Sequence, residues 1–136
     1  MNLMDWDPKK FDVLIPKMND QHQKLISIMN KLYDRHKSKA SKDELNKLFI
    51  ELRDYTLLHF REEEAMFDSM QFPQAAQHKM IHKALLKDFT THYEKFQKGA
   101  GEVEPEFFDF LKLWLTSHIM HVDHKYGEFS QQQKTA

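Results

Sequence analysis

Large apolar residues recur every three or four positions along most of the chain, which is the spacing of one face of an α-helix. The pattern is interrupted at three places by residues that end or start helices. It predicts four helices, over residues 17–37, 42–69, 73–98 and 105–129. Because the connections are short, consecutive helices should run antiparallel. The predicted fold class is therefore all-α, an up-down-up-down four-helix bundle.

Residues at the interruptions set the predicted helix boundaries. Ser41 followed by Glu44 forms a capping box at the start of the second helix. Pro73 suits the first turn of the third helix. At the first helix, Asn19 or Asp20 is the predicted N-cap, since both side chains can accept a hydrogen bond from a free backbone N–H.

Residues 1–16 are predicted to form an N-terminal arm. Two prolines punctuate this stretch, and it holds five large apolar residues: Trp6, Phe11, Val13, Leu14 and Ile15. Leaving so many apolar side chains in water is unfavourable, so we expect the arm to dock against the bundle. Arm and bundle together are expected to form one domain over residues 1–136.

The composition narrows the classes of function. Lys and Arg number 20 and Asp and Glu 21, so no net charge attracts nucleic acid or anionic lipid. The absence of cysteine excludes disulfides and thiolate metal sites. The first residues do not resemble a signal peptide, and no apolar run approaches the roughly 20 residues that span a bilayer. We therefore expect a soluble cytoplasmic protein without membrane insertion, and a monomer, because packing four helices uses their apolar stripes.

Histidine and carboxylate residues interrupt the apolar stripes at one level of the predicted bundle. His59 and Glu63 lie four residues apart, as do His78 and His82, so each pair shares one helix face. Burying such groups is costly without partners, and metal ions are suitable partners. Imidazole and carboxylate suit iron, zinc, copper or manganese, and seven ligands are too many for one ion, so a two-metal site is predicted. Its candidate ligands are His22, His59, Glu63, His78, His82, His118 and Asp123.

Asp123 has a spacing that needs a structural explanation. It follows His118 by five residues, which is about 140° around an ideal α-helix. Both can face one centre if the bundle surrounds that centre, or if the turn is locally widened into a π-bulge.

A zinc-like cluster of His118, His121 and His124 is an alternative. We expect the remaining histidines to face solvent or to lie beside the ligands, namely His36, His92, His121 and His124. Solvated positions are also expected for Arg61, Glu62 and Glu64.

Three stretches of the sequence resemble one known family. They are Asp20-Gln21-His22, His59-Phe60-Arg61-Glu62-Glu63 and Trp114-Leu115-Thr116-Ser117-His118-Ile119. Together with the histidine and carboxylate spacings, they resemble the ligand signature of the hemerythrin family, and of its single-domain bacterial members in particular. The resemblance covers nearly the whole chain, and all seven ligand positions match. Asn19 is one departure, since many relatives have aspartate there.

The resemblance implies a non-haem di-iron centre as the cofactor. The histidines would divide between two irons, with His78, His82 and His118 on one and His22 and His59 on the other. Glu63 and Asp123 would bridge the irons, with an oxo or hydroxo group as the third bridge. Dioxygen would bind at the two-histidine iron, which is one ligand short. The pocket around it would be formed by apolar residues: Leu25, Phe60, Trp114, Leu115 and Ile119.

The implied function is reversible dioxygen binding for carriage, storage or delivery, with an oxygen-consuming enzyme as a candidate recipient. No catalytic residue is expected, because the sequence offers no evident general acid or base in the pocket and no substrate cleft. Five neutral imidazoles and only two carboxylates should favour reversible binding over strong oxidation chemistry. Alternatives are a di-iron oxidase, peroxidase or nitric oxide reductase, a sensor of oxygen, redox state or iron acting through a separate partner, an iron store, and a zinc-loaded structural bundle.

Leu115 gives a prediction from the sequence. If its side chain keeps the pocket dry, Leu115→Ala should speed autoxidation of the oxygenated protein, because water and protons would then reach bound oxygen more easily. The decay of the absorption band of the oxygenated form measures this rate. An unchanged rate would show that Leu115 does not guard the site.

Overall fold

The computed structural model describes residues 3–135, with the side chains at positions 115, 120, 121 and 133–135 outside the description. This part of the chain is helical and contains no strand, and none of its helices is long and apolar enough to cross a bilayer. Its helices are α1 (Pro8–Phe11), α2 (Pro16–Lys37), α3 (Lys42–Met70), α4 (Ala75–Lys98), α5 (Pro105–Leu113), a π-helix (Trp114–Asp123) and α6 (His124–Thr135). The last three follow one another without a break and form the fourth long helix. The predicted all-α four-helix architecture is confirmed.

Helix α2 starts earlier than its predicted cap. Its N-cap lies just before Pro16, and not at Asn19 or Asp20. Proline is favoured at a first helical position because it has no N–H to leave unpaired. Asn19 instead accepts a hydrogen bond from the Val13 N–H (2.9 Å) at Oδ1 and donates one from Nδ2 to Asp12 Oδ1 (2.8 Å). This side chain therefore ties the arm to the first turn of α2.

Helix α3 has the predicted start, and the turn that follows it is wider than predicted. Ser41 Oγ accepts a hydrogen bond from the Glu44 N–H (3.2 Å), as the capping box requires. At the other end, Gln71 closes the helix in a left-handed conformation with φ 54°. The turn then takes up Pro73, so α4 begins at Ala75 and not at residue 73. The fourth helix also continues beyond residue 129, through α6.

The two halves of the buried core differ, because one is packed with aromatic rings and the other holds polar groups among apolar side chains. In the aromatic half, the Phe49 ring packs against four rings at centroid distances of 4.6–6.2 Å, those of Phe89, Tyr93, Phe96 and Phe107. Large aromatic rings contribute much of the packing energy of a core. This half therefore holds α3, α4 and α5 together, while the other half carries the buried histidines and carboxylates.

The N-terminal arm is docked against the bundle. Phe11 and Val13 are 2% and 0% exposed. Met4 exchanges two hydrogen bonds with the Asn30 side chain, at 2.9 Å and 2.7 Å. A Cβ atom added at Gly127 in α6 would lie only 1.8 Å from the Val13 carbonyl oxygen. The backbones of arm and α6 thus touch at a point where only glycine fits.

Gly127→Ala should destabilise the protein by about 1–3 kcal/mol, the usual effect of overpacking a core. The added methyl group meets a backbone oxygen of the arm, so the arm must move away. Thermal or denaturant unfolding measures the change. Gly99→Ala is the matched control, because the nearest neighbour of its added Cβ lies at 3.4 Å. A Gly127→Ala protein as stable as the wild type would contradict the close packing of the arm on α6.

Candidate metal centre

Seven buried polar side chains from all four long helices meet at one level of the bundle. They form two groups that share both carboxylates, and within each group the candidate ligand atoms lie within 4.8 Å of one another. One group is Glu63, His78, His82, His118 and Asp123, and the other is His22, His59, Glu63 and Asp123. Each side chain is at most 4% exposed. The structure therefore brings together all seven candidate ligands named from the sequence.

Glu63 lies between the two groups of histidines. Its Oε1 is 2.8 Å from His82 Nε2 and 3.3 Å from His78 Nε2. Its Oε2 is 3.3 Å from His59 Nε2 and 3.8 Å from His22 Nε2. Each carboxylate oxygen thus faces a different group.

Asp123 repeats this arrangement from the fourth helix. Its Oδ1 lies 2.8 Å from both His78 Nε2 and His118 Nε2. Its Oδ2 lies 3.1 Å from His22 Nε2. Two carboxylates that each direct one oxygen to a three-histidine group and one to a two-histidine group have the arrangement of bridging ligands in a two-metal site.

The π-helix explains how Asp123 reaches the centre. Residues Trp114–Asp123 adopt π-helical conformation, in which backbone hydrogen bonds join residues five apart. Residues five apart therefore lie close to one face, which an α-helix does not allow. His118 and Asp123 have this spacing, so both can point inward. The widened turn that their spacing suggested is present.

The hydrogen bond behind His82 shows why the site needs a cation. Its Nδ1 lies 2.9 Å from Glu64 Oε2, which accepts, so Nδ1 carries the proton. In the neutral ring, Nε2 then carries a lone pair, and it lies 2.8 Å from Glu63 Oε1, a second acceptor. Neither atom makes a hydrogen bond, and the same holds for His22 Nε2 and both Asp123 oxygens. Such buried, facing acceptors fit metal ions, whose ligands are lone pairs of this kind.

Protons take the place of metal when the site contains only protein. Burial lowers the pKa of His22 and His78, but contact with Asp123 and Glu63 outweighs it and raises both values to about 9. Burial and the neighbouring Glu63 charge raise the pKa of Asp123, yet His118 and His22 outweigh them and hold it far below its usual value. Metal binding must therefore displace protons.

Apolar side chains surround the polar cluster. The Phe60 ring stacks on the His82 ring, with centroids 3.8 Å apart and planes at 5°. The other described members of the predicted pocket are at most 3% exposed, namely Leu25, Trp114 and Ile119. The side chain of Leu115 lies outside the described residues. The cluster is thus shielded from bulk water, and an aromatic ring lies directly against one of its histidines.

Two surface cavities lie at different distances from the cluster. A cleft of about 270 Å³ lies between α4 on one side and α5 and the π-helix on the other. It is lined mainly by apolar side chains and reaches Trp114 and His118. A larger cavity of about 840 Å³ lies at the opposite end of the bundle, around Tyr33 and Phe108, and touches no candidate ligand. Of these two cavities, the smaller cleft is therefore the one that reaches a candidate ligand.

The prediction of solvated positions holds for Arg61, which is exposed, but is wrong for Glu62 and Glu64. Glu64 accepts a hydrogen bond from His82 Nδ1–H, and Glu62 Oε2 accepts one from Gln21 Nε2 (2.6 Å). Both side chains are still 32% exposed. Their helix positions correctly place them at the edge of the core. Helix position cannot show that a long side chain turns back towards a ligand on a neighbouring helix.

Tyr126 is a buried contact of the cluster that the sequence reasoning missed. It is 0% exposed, and its O–H donates a hydrogen bond to Glu63 Oε2 at 3.0 Å. Burial and the nearby Glu63 and Asp123 carboxylates raise its pKa well above the usual value, so the phenol stays a donor. A signal was available, because Tyr126 follows Asp123 by three residues and so shares its helix face.

The histidines outside the cluster have other surroundings. His36 and His92 pack against aromatic rings of α5. The Nδ1–H of His124 donates to the Asp12 carbonyl oxygen (3.1 Å), which lies in the arm. The side chain of His121 lies outside the described residues. The position of His124 argues against the zinc-like alternative.

The fold and the site together define a class of protein, a four-helix bundle with a buried histidine and carboxylate cluster able to hold metal. Comparison with protein families agrees. The family described as "Hemerythrin HHE cation binding domain" matches residues 13–129. The chain belongs to the hemerythrin family, as the resemblance in its sequence indicated.

Several similar proteins match over most of their length. Bacteriohemerythrin from Methylococcus capsulatus is 32% identical over 127 residues, which cover 93% of this chain and 96% of that protein. A hemerythrin-like protein from Naegleria gruberi is 33% identical over 122 residues, covering 90% and 89%. A crystal structure of wild-type hemerythrin has a TM-score of 0.85 at 31% identity, covering 93% of this chain and 96% of that one. The similarity therefore includes the whole bundle and not only the ligand motifs.

Removing metal should make the stability sensitive to alkaline pH. In the metal-free site, His22 and His78 have a pKa of about 9, against 6.5 for an ordinary histidine. Their protonated forms stabilise the fold fully below pH 6.5, and this contribution is lost as the pH rises through about 9.

We therefore expect the melting temperature of the metal-free protein to fall between about pH 7 and 10, and that of the iron-loaded protein to change much less. Calorimetry or circular dichroism of both forms in matched buffers makes the comparison. If the two forms respond to pH alike, protons do not replace the metal in this site.

Proposed function

We propose that the chain binds two iron ions and, through them, binds dioxygen reversibly. The observation that best supports this is the division of Glu63 and Asp123 between two groups of histidines. One iron would be held by His78, His82 and His118, and the other by His22 and His59. The two carboxylates would bridge the irons, with an oxo or hydroxo group as the third bridge. The matched family, described as cation binding, supports a metal at this place.

The unequal histidine groups support a place for dioxygen. Three imidazoles face one side of the carboxylates and two face the other, so one iron would be a ligand short. That open position, on the side of His22 and His59, is where a diatomic ligand would bind. The irons held there would supply the electrons that dioxygen takes up on binding, one from each iron, and would regain them on its release.

The protein's own side chains favour reversibility. Phe60, Leu25 and Ile119 are buried and apolar, so they limit the water and protons that would let oxygen leave in a reduced form. Tyr126 holds one oxygen of Glu63 by a hydrogen bond and so fixes the carboxylate in its bridging orientation. These residues exclude solvent and orient ligands, which is what a binding site requires.

Several features favour binding over turnover. Five imidazoles and two carboxylates give the centre less negative charge than a carboxylate-rich di-iron site, so it should be a weaker oxidant towards other molecules. The adjacent cleft is small, at about 270 Å³. We infer a role in dioxygen carriage, storage or delivery, with an oxygen-consuming enzyme as the candidate recipient. The cytoplasmic location and the monomeric state stay predictions.

Reversible oxygenation is the direct test of this function. The iron-loaded protein is reduced without air, exposed to oxygen and then deoxygenated while its visible spectrum is recorded. A charge-transfer band should appear and disappear over repeated cycles.

His59→Ala should abolish the band, because it removes one of two histidines on the open iron. Leu57→Ala, on the same helix but 45% exposed, should leave it unchanged. Oxidation that deoxygenation does not reverse would contradict carriage and favour an oxidase or a sensor.

A further inference from the structure

Two ligand histidines are supported by different groups on the side away from the cluster. The Nδ1 of His82 faces the carboxylate of Glu64 at 2.9 Å. The Nδ1 of His59 faces the amide oxygen of Gln21 at 2.6 Å. Both rings direct Nε2 at the same bridging residue, Glu63. The two sides of the centre therefore differ in the charge behind a ligand, and not only in the number of histidines.

The orientation of the Gln21 amide is fixed by its neighbours. Its other end lies 2.6 Å from Glu62 Oε2, and Glu62 Oε1 pairs with the Lys17 ammonium at 3.1 Å. An ionised carboxylate can only accept, so the NH₂ of Gln21 must face Glu62 and its C=O must face His59. Nδ1 of His59 must then carry the proton. This series of contacts, from Lys17 through Glu62 and Gln21 to His59, leaves Nε2 of His59 without a proton and directed at the centre.

The two supports should affect a bound metal differently. A carboxylate that accepts the Nδ1 proton draws it away from the ring and makes Nε2 a stronger electron donor. A stronger donor favours the more highly charged, oxidised metal. A neutral amide oxygen accepts the same hydrogen bond with less effect, so His59 should be the weaker donor.

We propose that Gln21 is a positioning residue that directs Nε2 of His59 at the centre and keeps it a comparatively weak donor, so that the two-histidine iron would favour its reduced state and dioxygen would leave without being reduced. Glu64 acts in the opposite sense on the three-histidine iron, through His82. The proposal rests on the proposed function in one respect, the assignment of the oxygen-binding position to the side of His59.

Exchanging the amide at position 21 with the carboxylate at position 62 tests the proposal without changing the net charge of the protein. In Gln21→Glu/Glu62→Gln, the same hydrogen-bond chain can form with the carboxylate moved one link closer to His59. The midpoint potential of the iron centre, measured without oxygen, should fall. Autoxidation of the oxygenated form should be about tenfold faster, the lower end of what outer ligand partners usually contribute.

Two further variants control for structure and charge. Glu64→Gln keeps a hydrogen-bond acceptor behind His82 but removes its charge, so the midpoint potential should rise. Gln23→Glu adds a charge on α2 at an exposed position two residues from Gln21, and the potential should stay close to that of the wild type. A merely structural role for Gln21 and Glu64 would not give shifts of opposite sign.

Nitrogen NMR of the zinc-loaded protein gives a readout that needs neither iron nor oxygen. In the wild type, His59 should show a proton on Nδ1, and in the exchanged variant that proton should move downfield. A proton absent from Nδ1, or equal midpoint potentials in the wild type and the exchanged variant, would overturn the proposal. If the wild type itself fails to bind oxygen reversibly while the NMR result holds, the proposed function fails and the hydrogen-bond assignment stands.

Discussion

Two buried carboxylates that face five imidazole nitrogens are the interaction on which the rest of this structure depends. Lone pairs at 2.8 Å repel one another in a site without solvent, and only cations can turn that repulsion into attraction. Protons can be these cations, which is why the pKa values of His22 and His78 are raised. Metal ions satisfy the site better, because one ion can bind several lone pairs at once. The aromatic half of the core holds the bundle together while the other half carries these polar groups.

The local structure of the fourth helix follows from the same requirement. His118 and Asp123 must both point inward, and a π-helix brings residues five apart close to one face. π-helices are rare, so the surroundings must stabilise this one. The N-terminal arm does so: it contacts the π-helix, and Val13 packs directly on Gly127 one turn beyond Asp123. The arm is therefore part of what keeps Asp123 at the centre.

Much of this could be predicted from the sequence, because buried faces leave a periodic signal. Periodicity indicated the four helices, and five histidines and two carboxylates at helical spacings indicated the seven residues that the structure brings together. The spacing of Asp123 pointed to a π-bulge but left a second arrangement open. The predicted N-cap of the first long helix was wrong, because two local signals compete there. Asn19 can cap a helix, but α2 begins at Pro16 and the Asn19 side chain binds the arm instead. The hydrogen-bond partners of His59 and His82 could not be predicted. Gln21 and Glu64 reach them from neighbouring helices through side-chain conformations that helical periodicity does not indicate.

The central claim is that Glu63 and Asp123 each join two iron ions. A crystal structure of the iron-loaded protein, with anomalous scattering measured on both sides of the iron absorption edge, tests it most directly. The account predicts two iron peaks about 3.5–4 Å apart, a usual separation in two-metal sites, with both carboxylates in contact with both peaks. A single metal peak, or two peaks with either carboxylate bound to only one of them, would contradict it.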